Sequence, residues 1–424
     1  MKRKAVSGIM LTLVLASMLT LAFDIQPFKT QLQETKATSL SSGFSWPMFR
    51  HDIEHTGETE DPGPVTNRTV WIQNVGSSVT SSPAVVNGRV YIASNRGVDL
   101  GYINCLDEMN GTILWSSPLA GMNNYSSPAS GLGMVFIGSS RLSGIPPLYR
   151  VYLQAFNATT GALNWTFTTS GLIESSPTFW SDGVNHRIFV GANDGNVYSL
   201  DALTGTQIWR NATGGPVRSS PAVDESQGLI IVGSDDHRVY ALNMNTGHVI
   251  WNFTTGAAVQ SSPALGVWAE NGVLGPFHKV VFVGSNDGNI YTLNRTSGAQ
   301  LANYTAGARV RSSPALWSQY SDVHRFTVKI SVGSDDNQIR TLNVNMSGTP
   351  GLSLSWNYPT GSPVESSPAR TRAIPDYPVA PMLYVGSNDG KVYSFDETGL
   401  VIWSYQTGGT VKSSPAVDEG WVFV

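Results

Sequence analysis

The tripeptide Ser-Ser-Pro recurs eight times at a near-regular spacing in 424 residues, with one further copy at Ser116–Pro118 outside the series, and this series constrains the fold more than any other feature. Its prolines are Pro83, Pro128, Pro177, Pro221, Pro263, Pro314, Pro368 and Pro415, spaced by 45, 49, 44, 42, 51, 54 and 47 residues. A period of this size means repeated units that bury their apolar faces against one another. The stretch from Val217 to Trp251 shows one unit in full. It reads Val-Arg-Ser-Ser-Pro-Ala-Val, Gly-Leu-Ile-Ile-Val-Gly-Ser, Asp-Asp-His-Arg-Val-Tyr-Ala-Leu-Asn and Thr-Gly-His-Val-Ile-Trp.

Each piece predicts a strand or a turn. Val-x-Ser-Ser-Pro-Ala is a short strand of small residues suited to a crowded axis, and its proline marks a strand end or an edge. Leu229–Val232 is a continuous apolar run, as in a strand buried on both faces. Gly-Ser-x-Asp-Gly, complete at Gly284–Gly288 and Gly386–Gly390, is a hairpin turn whose Asp-Gly supplies positive φ angles. Val-Tyr-x-Leu alternates as a third strand, Thr-Gly turns the chain, and a tryptophan strand closes the unit. Four strands per 42–54 residues predict an all-β propeller of four-stranded antiparallel blades. No unit contains a ten-residue window of 3.6 periodicity, which excludes helical repeats.

The tryptophans recur at Trp71, Trp115, Trp165, Trp209, Trp251, Trp356 and Trp403, as structural docking residues. The fifth unit has Ala302 instead, which predicts a local packing defect relieved by Tyr304. Trp71 precedes the first Ser-Ser-Pro, and after Pro415 only one inner strand and Trp421–Val424 follow. The expectation is eight blades, the last shared between the Trp71 strand and the C-terminal strands, which removes the open edge of the ring. The third strand of that blade is missing, so the chain is expected to be truncated or to continue.

Lys2, Arg3 and Lys4 precede an apolar run from Ala5 to Ala22, the pattern of an export signal. Residues 1–23 are expected to be a signal peptide or N-terminal anchor, 24–43 a polar linker, and 44–424 the propeller. Ten Asn-x-Ser/Thr sequons, at Asn67, Asn110, Asn124, Asn157, Asn164, Asn211, Asn252, Asn294, Asn303 and Asn345, suit a glycosylated extracellular or cell-surface protein. The net charge of −4 comes without a basic patch, which argues against nucleic acid. A single cysteine, Cys105, excludes an intrachain disulfide and a Cys-x-x-Cys redox pair.

The position just before each Ser-Ser-Pro differs from unit to unit: Thr80, Tyr125, Glu174, Arg218, Gln260, Arg311, Glu365 and Lys412. With the strand innermost, these eight side chains ring the axis. They either neutralise one another or form a ligand or partner surface on a repeated frame. His51 and His55 are metal candidates only if their segment is helical, because i and i+4 then share a face. The turn acids Asp194, Asp235, Asp236, Asp287, Asp335, Asp336 and Asp389 serve turn chemistry rather than calcium. Cys105 fits a buried packing slot, with no histidine partner to make it a nucleophile.

The units resemble the pyrrolo-quinoline quinone (PQQ)-like propeller repeat, whose tryptophan docking motif stands here as Ser199-Leu200-Asp201, Gly205, Trp209 and as Ala241-Leu242-Asn243, Gly247, Trp251. Trp46–Gly57 is similar to the lead-in of such propellers, and the resemblance covers roughly residues 46–424. The first two units depart from it: they lack the Asp-Gly turn and carry insertions such as Arg141–Arg150. The resemblance implies one of two functions. Quinoprotein dehydrogenases hold the quinone and a calcium or similar ion above the axis, with a catalytic aspartate and often a vicinal cysteine pair, which this chain cannot have. BamB-type proteins are scaffolds without cofactor. The expectation is therefore an exported, non-catalytic binding or scaffolding module without a cofactor, meeting a protein or a cell-surface glycan. The alternatives are a quinone-dependent oxidoreductase and a propeller domain of a larger protein.

Overall fold

The computed structural model describes residues 45–424 apart from 98–99, 123–124, 144–147, 270–276, 322–323, 346–349 and 373–379. The expectations for residues 1–23 and 24–43 lie outside this range, as does Asn124. No helix occurs among the described residues.

The chain forms seven complete antiparallel blades, each paired in sequence order from inner to outer strand. Blade 4 is typical: Ala222–Asp224, Leu229–Ser234, Arg238–Asn243 and Val249–Thr254. The other blades take their third strands from Gly101–Asp107, Leu148–Asn157, Asn196–Asp201, Asn289–Asn294, Gln338–Asn345 and Lys391–Phe395. Blade 7 gains a fifth strand, Glu58–Thr59, parallel to Ala369–Thr371. The Arg141–Arg150 insertion lengthens a hairpin of two ten-residue strands in blade 2.

The expected eighth blade is not built: the described residues form seven blades, and Ala416–Asp418 and Trp421–Phe423 form a sheet of two strands. The segment around Trp71 forms no strand. Its indole nevertheless takes the docking position, donating to Glu108 O at 2.8 Å and lying 5.9 Å from the Phe423 ring. A cavity of about 900 Å³ lies between this segment and the two-stranded sheet. Counting the regularly spaced Ser-Ser-Pro series counts inner segments, whereas a blade also needs its outer strands.

The two serines of the motif have separate tasks. The first caps the second strand of its own blade: Ser219 Oγ accepts from Gly233 N at 3.0 Å, and Ser126, Ser175, Ser261, Ser312 and Ser366 repeat the bond. The second joins neighbours. Backbone N–H of Ser82, Ser127, Ser176, Ser220, Ser262, Ser313 and Ser367 each donates to the next serine Oγ at 2.9–3.0 Å. Ser414 N then donates to Ser82 Oγ at 2.8 Å and closes an eight-membered ring. From the second blade on, the segment before the proline is therefore not a paired strand, since pairing starts after the proline, whereas in blade 1 Ser78–Val79 pairs with Ser94–Asn95.

Adjacent blades lock through a valine and a tryptophan. Val217 packs on Gly191, where a Cβ would stand 2.4 Å from Val217 Cγ1, so only glycine fits. Trp165 Nε1 donates to Ala202 O at 2.9 Å, with its ring covering Gly205. Trp115, Trp209, Trp251, Trp356 and Trp403 make the same kind of bond to a main-chain carbonyl. At Ala302 the missing indole is offset by long strands in blade 6, Gln338–Asn345 and Gly351–Pro359. Val344 and Leu352 from them share a cluster with Leu301 and Tyr304.

Ser262→Ala strips the acceptor from the buried Ser220 N–H. Urea unfolding should show a loss of about 1–3 kcal/mol, the cost of an unsatisfied buried donor.

Candidate functional site at the mouth of the axis

The lead-in closes one end of the inner segments. Inner-strand N–H groups donate to it in turn: Val85 to Trp46 O, Ser130 to Pro47 O, Val223 to Ile53 O, Leu265 to Glu54 O, Leu316 to Thr56 O and Arg370 to Gly57 O, all at 2.7–2.9 Å. The inner edge of the blades is thereby paired, which satisfies groups that would otherwise be orphaned. Arg50 is buried under this belt and donates to Pro314 O at 2.5 Å and to Pro368 O. Burial lowers its pKa to about 9.

His51 and His55 lie in this belt, which is a run of turns with positive φ at Arg50, His51 and His55. The helix that would align the two rings is not formed. His51 stands 3.4 Å from Asp52 and packs edge-on against Trp46. His55 is buried, with Nε2 3.4 Å from Thr178 Oγ1, and desolvation pulls its pKa down to about 3. Among the described residues no three His, Cys, Asp or Glu side chains are arranged to hold a metal ion.

The variable positions lie at the other end of the inner segments, before the serines. Several of them engage one another. Arg218 Nε is 2.6 Å from Glu174 and its Nη1 pairs with Asp235. Gln260 Nε2 donates to Asp235 at 3.2 Å. Arg311 pairs with Asp335 at 2.8 Å and with Glu365 at 3.3 Å, and Lys412 reaches Glu365 at 3.4 Å. Tyr125 differs: it is 53% exposed and holds φ at 68°, an uncommon conformation for a bulky residue. Thr80 is half-buried.

A second ring, which sequence reasoning missed, backs the first. It is the x of Gly-Ser-x-Asp-Gly: Asn193, Asp235, Asn286, Asp335 and Asn388. Asp235 and Asp335 bind the arginines, and Asn388 donates to Glu365 at 2.9 Å. The Oδ1 atoms of Asn193, Asn286 and Asn388 are buried and meet no hydrogen-bond partner. The readable signal was the alternation of Asn and Asp in one slot of the repeat.

The neighbouring turn acids are consumed locally. Asp194, Asp236, Asp287 and Asp389 each accept the hydroxyl of the tyrosine four residues on, in the strand that follows the turn, at 2.5–2.7 Å from Tyr198, Tyr240, Tyr291 and Tyr393. Cys105 is fully buried opposite Trp115 in the strand register, and burial pushes its thiol pKa up, which suits packing rather than nucleophilic work.

Burial alone would raise the Glu365 pKa, but Asn388, Arg311 and Lys412 together hold it below the ordinary carboxylate range. A depressed carboxylate pKa gives stability that is present at neutral pH and lost as acid protonates the group. Glu365→Gln should cost about 1 kcal/mol in urea unfolding at pH 7, with the difference from wild type vanishing as the pH falls below the carboxylate range.

The family described as outer membrane protein assembly factor BamB matches residues 149–370 and 356–424, well over half of the chain. The tetrathionate hydrolase of Acidithiobacillus ferrooxidans is 25% identical over 151 residues, 35% of this chain and 24% of that protein. The BamB of Nitrosomonas eutropha is 26% identical over 178 residues, 39% of each. The matched region thus spans about a quarter and two fifths of these relatives. Among solved structures, a europium-containing methanol dehydrogenase superposes with a TM-score of 0.65 at 15% identity, over 88% of this chain and 87% of that one. The quinohemoprotein alcohol dehydrogenase of Comamonas testosteroni gives 0.65 at 15% identity, over 89% and 75%. BamB of Moraxella catarrhalis gives 0.56 at 18% identity, over 80% and 88%. At these identities the structures speak for the fold alone. The repeat grammar, the docked tryptophans and the family match converge: the chain belongs to the PQQ-like propeller family of the outer membrane assembly factor BamB.

Proposed function

We propose that this chain is an exported, non-catalytic propeller that binds a partner through the mouth ringed by Thr80, Tyr125, Glu174, Arg218, Gln260, Arg311, Glu365 and Lys412. The observation that carries this reading is the occupation of the mouth. Its carboxylates are held by its own arginines and Lys412, so none of Glu174, Asp235, Asp335 or Glu365 stands ready as a base. Polar side chains that vary on a repeated frame, with three asparagine acceptors left unpaired beneath them, suit recognition by hydrogen bonds. Tyr125 adds an exposed aromatic on the same rim, a residue type favoured at protein interfaces. A protein partner fits this mixture better than a glycan alone. Export rests on the basic start and apolar run of residues 2–22, and the exposed sequons Asn67, Asn110, Asn164, Asn252, Asn303 and Asn345 suit a glycosylated outer surface.

The second reading, a quinone-dependent oxidoreductase, is favoured by the dehydrogenases among the structural neighbours. The mouth does not fit that cofactor pair, because a calcium or lanthanide ion asks for several oxygens converging on one point and the acids here are spread one to a blade and already paired. The chain would be titrated with pyrrolo-quinoline quinone and calcium, following quinone absorbance and Tm. No saturable change is expected, and a saturable one abolished by Arg311→Ala would overturn the proposal. A photo-crosslinker at position 125, in the producing cell, should trap one polypeptide that a crosslinker at Leu203 does not. Equal labelling from both positions would contradict a mouth-centred interface.

A further inference from the structure

The internal repeat shows a charge that is missing. At the boundary of blades 4 and 5, Arg295 is buried with Nη1 3.3 Å from Asp224 and 3.2 Å from Glu54 of the lead-in. Its own carbonyl accepts the Trp251 indole. At the closing boundary the same slots are filled from the same places in the repeat. Asp418 follows Pro415-Ala416-Val417 as Asp224 follows Pro221-Ala222-Val223. Glu108 carries the carbonyl that accepts the Trp71 indole, so a carboxylate stands where Arg295 has its guanidinium. The lead-in acid there is Asp61, in contact with Asp418. Blade 7 also has an acid in this slot, Glu397, but Arg370 lies 3.4 Å away.

Asp61, Glu108 and Asp418 are 2%, 3% and 2% exposed, and one oxygen of each, Oδ2, Oε1 and Oδ1, is buried with no hydrogen-bond partner. The other titratable groups acting on them are Glu419 and Asp107, which are acids, and His51 beside Asp61. Three buried carboxylates cannot all stay ionised without a compensating charge. Among the described residues no such group is arranged to grip a metal ion.

We propose that protons supply the missing charge: Asp61, Glu108 and Asp418 share protons across the closing sector, which joins the lead-in, blade 1 and the C-terminal sheet more firmly in acid than in alkali. Burial, with Glu419 and the other acids adding repulsion, pushes Glu108 up to about 7 and Asp418 up to about 9, and raises Asp61. A raised carboxyl pKa gives stability fully present below about pH 4, where the unfolded groups also hold protons. That stability is lost as the pH rises through 7 and 9.

The test is hydrogen exchange of Ala416–Phe423 in the full chain between pH 6.5 and 8.5, corrected for intrinsic rates. In this window the depressed His55 and the raised tyrosines keep their protonation in the folded chain. Protection of Ala416–Phe423 should fall on the order of tenfold per pH unit for each proton held, while Ala222–Val232 of blade 4 stays unchanged. Glu108→Arg, which rebuilds the Asp224–Arg295–Glu54 arrangement, should flatten the pH dependence and raise protection at pH 8.5. Glu108→Gln and Asp418→Asn should flatten it as well, so the result does not hang on one variant. Protection that is independent of pH in the wild type would overturn the proposal. So would variants that keep the wild-type slope, or a rise in protection at pH 8.5 on adding calcium alone.

Discussion

The structure depends on one hydrogen bond made eight times: a serine N–H donating to the serine hydroxyl of the next inner segment. A single such bond adds about 1 kcal/mol, but these are buried and form a closed ring, so breaking one strands a donor at the axis. The ring also explains why the motif carries two serines rather than one. The first holds its blade together and the second holds the blades to each other. Small hydroxyl side chains suit both, since eight buried segments converge on the axis and each hydroxyl accepts a backbone N–H.

Around that ring the blades are wedged by apolar packing of the usual propeller kind, with a glycine under a valine near the axis and a tryptophan over a glycine at the rim. The two ends of the inner segments then differ. One is sealed by a lead-in that accepts hydrogen bonds from the inner strands of six blades. The other holds polar residues that vary from blade to blade. The asymmetry follows from the chain order: Val-x-Ser-Ser-Pro puts the free position before the serines, and the lead-in takes the strand edge after the proline. One face is thus committed to stability and the other is free to carry recognition.

Much of this was legible in the sequence. The strand grammar, the docked tryptophans, the glycines and the buried Cys105 all follow from residue type and spacing, because each unit repeats the same local physics. The blade count did not follow, since the motif marks inner segments, and the last one leads into two strands instead of four. The mouth was half legible. Arg218, Arg311 and Glu365 stand out by position, but Asp235 and Asp335 read as turn residues, and only the fold brings them to the arginines. In the lead-in the histidines drew notice, whereas the buried Arg50 and the backbone carbonyls bear the contacts. Equivalent slots with opposite charge, Arg295 and Glu108, become comparable only once the tryptophan carbonyl bond fixes the register.

Closure of the ring through Ser414 and Ser82 is the claim on which the rest stands. Residue-level hydrogen exchange of the eight motif amides tests it most directly. The account predicts that Ser82 and Ser414 are protected to the same degree as Ser220 and Ser262, inside the ring. Rapid exchange at Ser82 and Ser414, with protection kept at Ser220 and Ser262, would show an open arc of seven blades and contradict it.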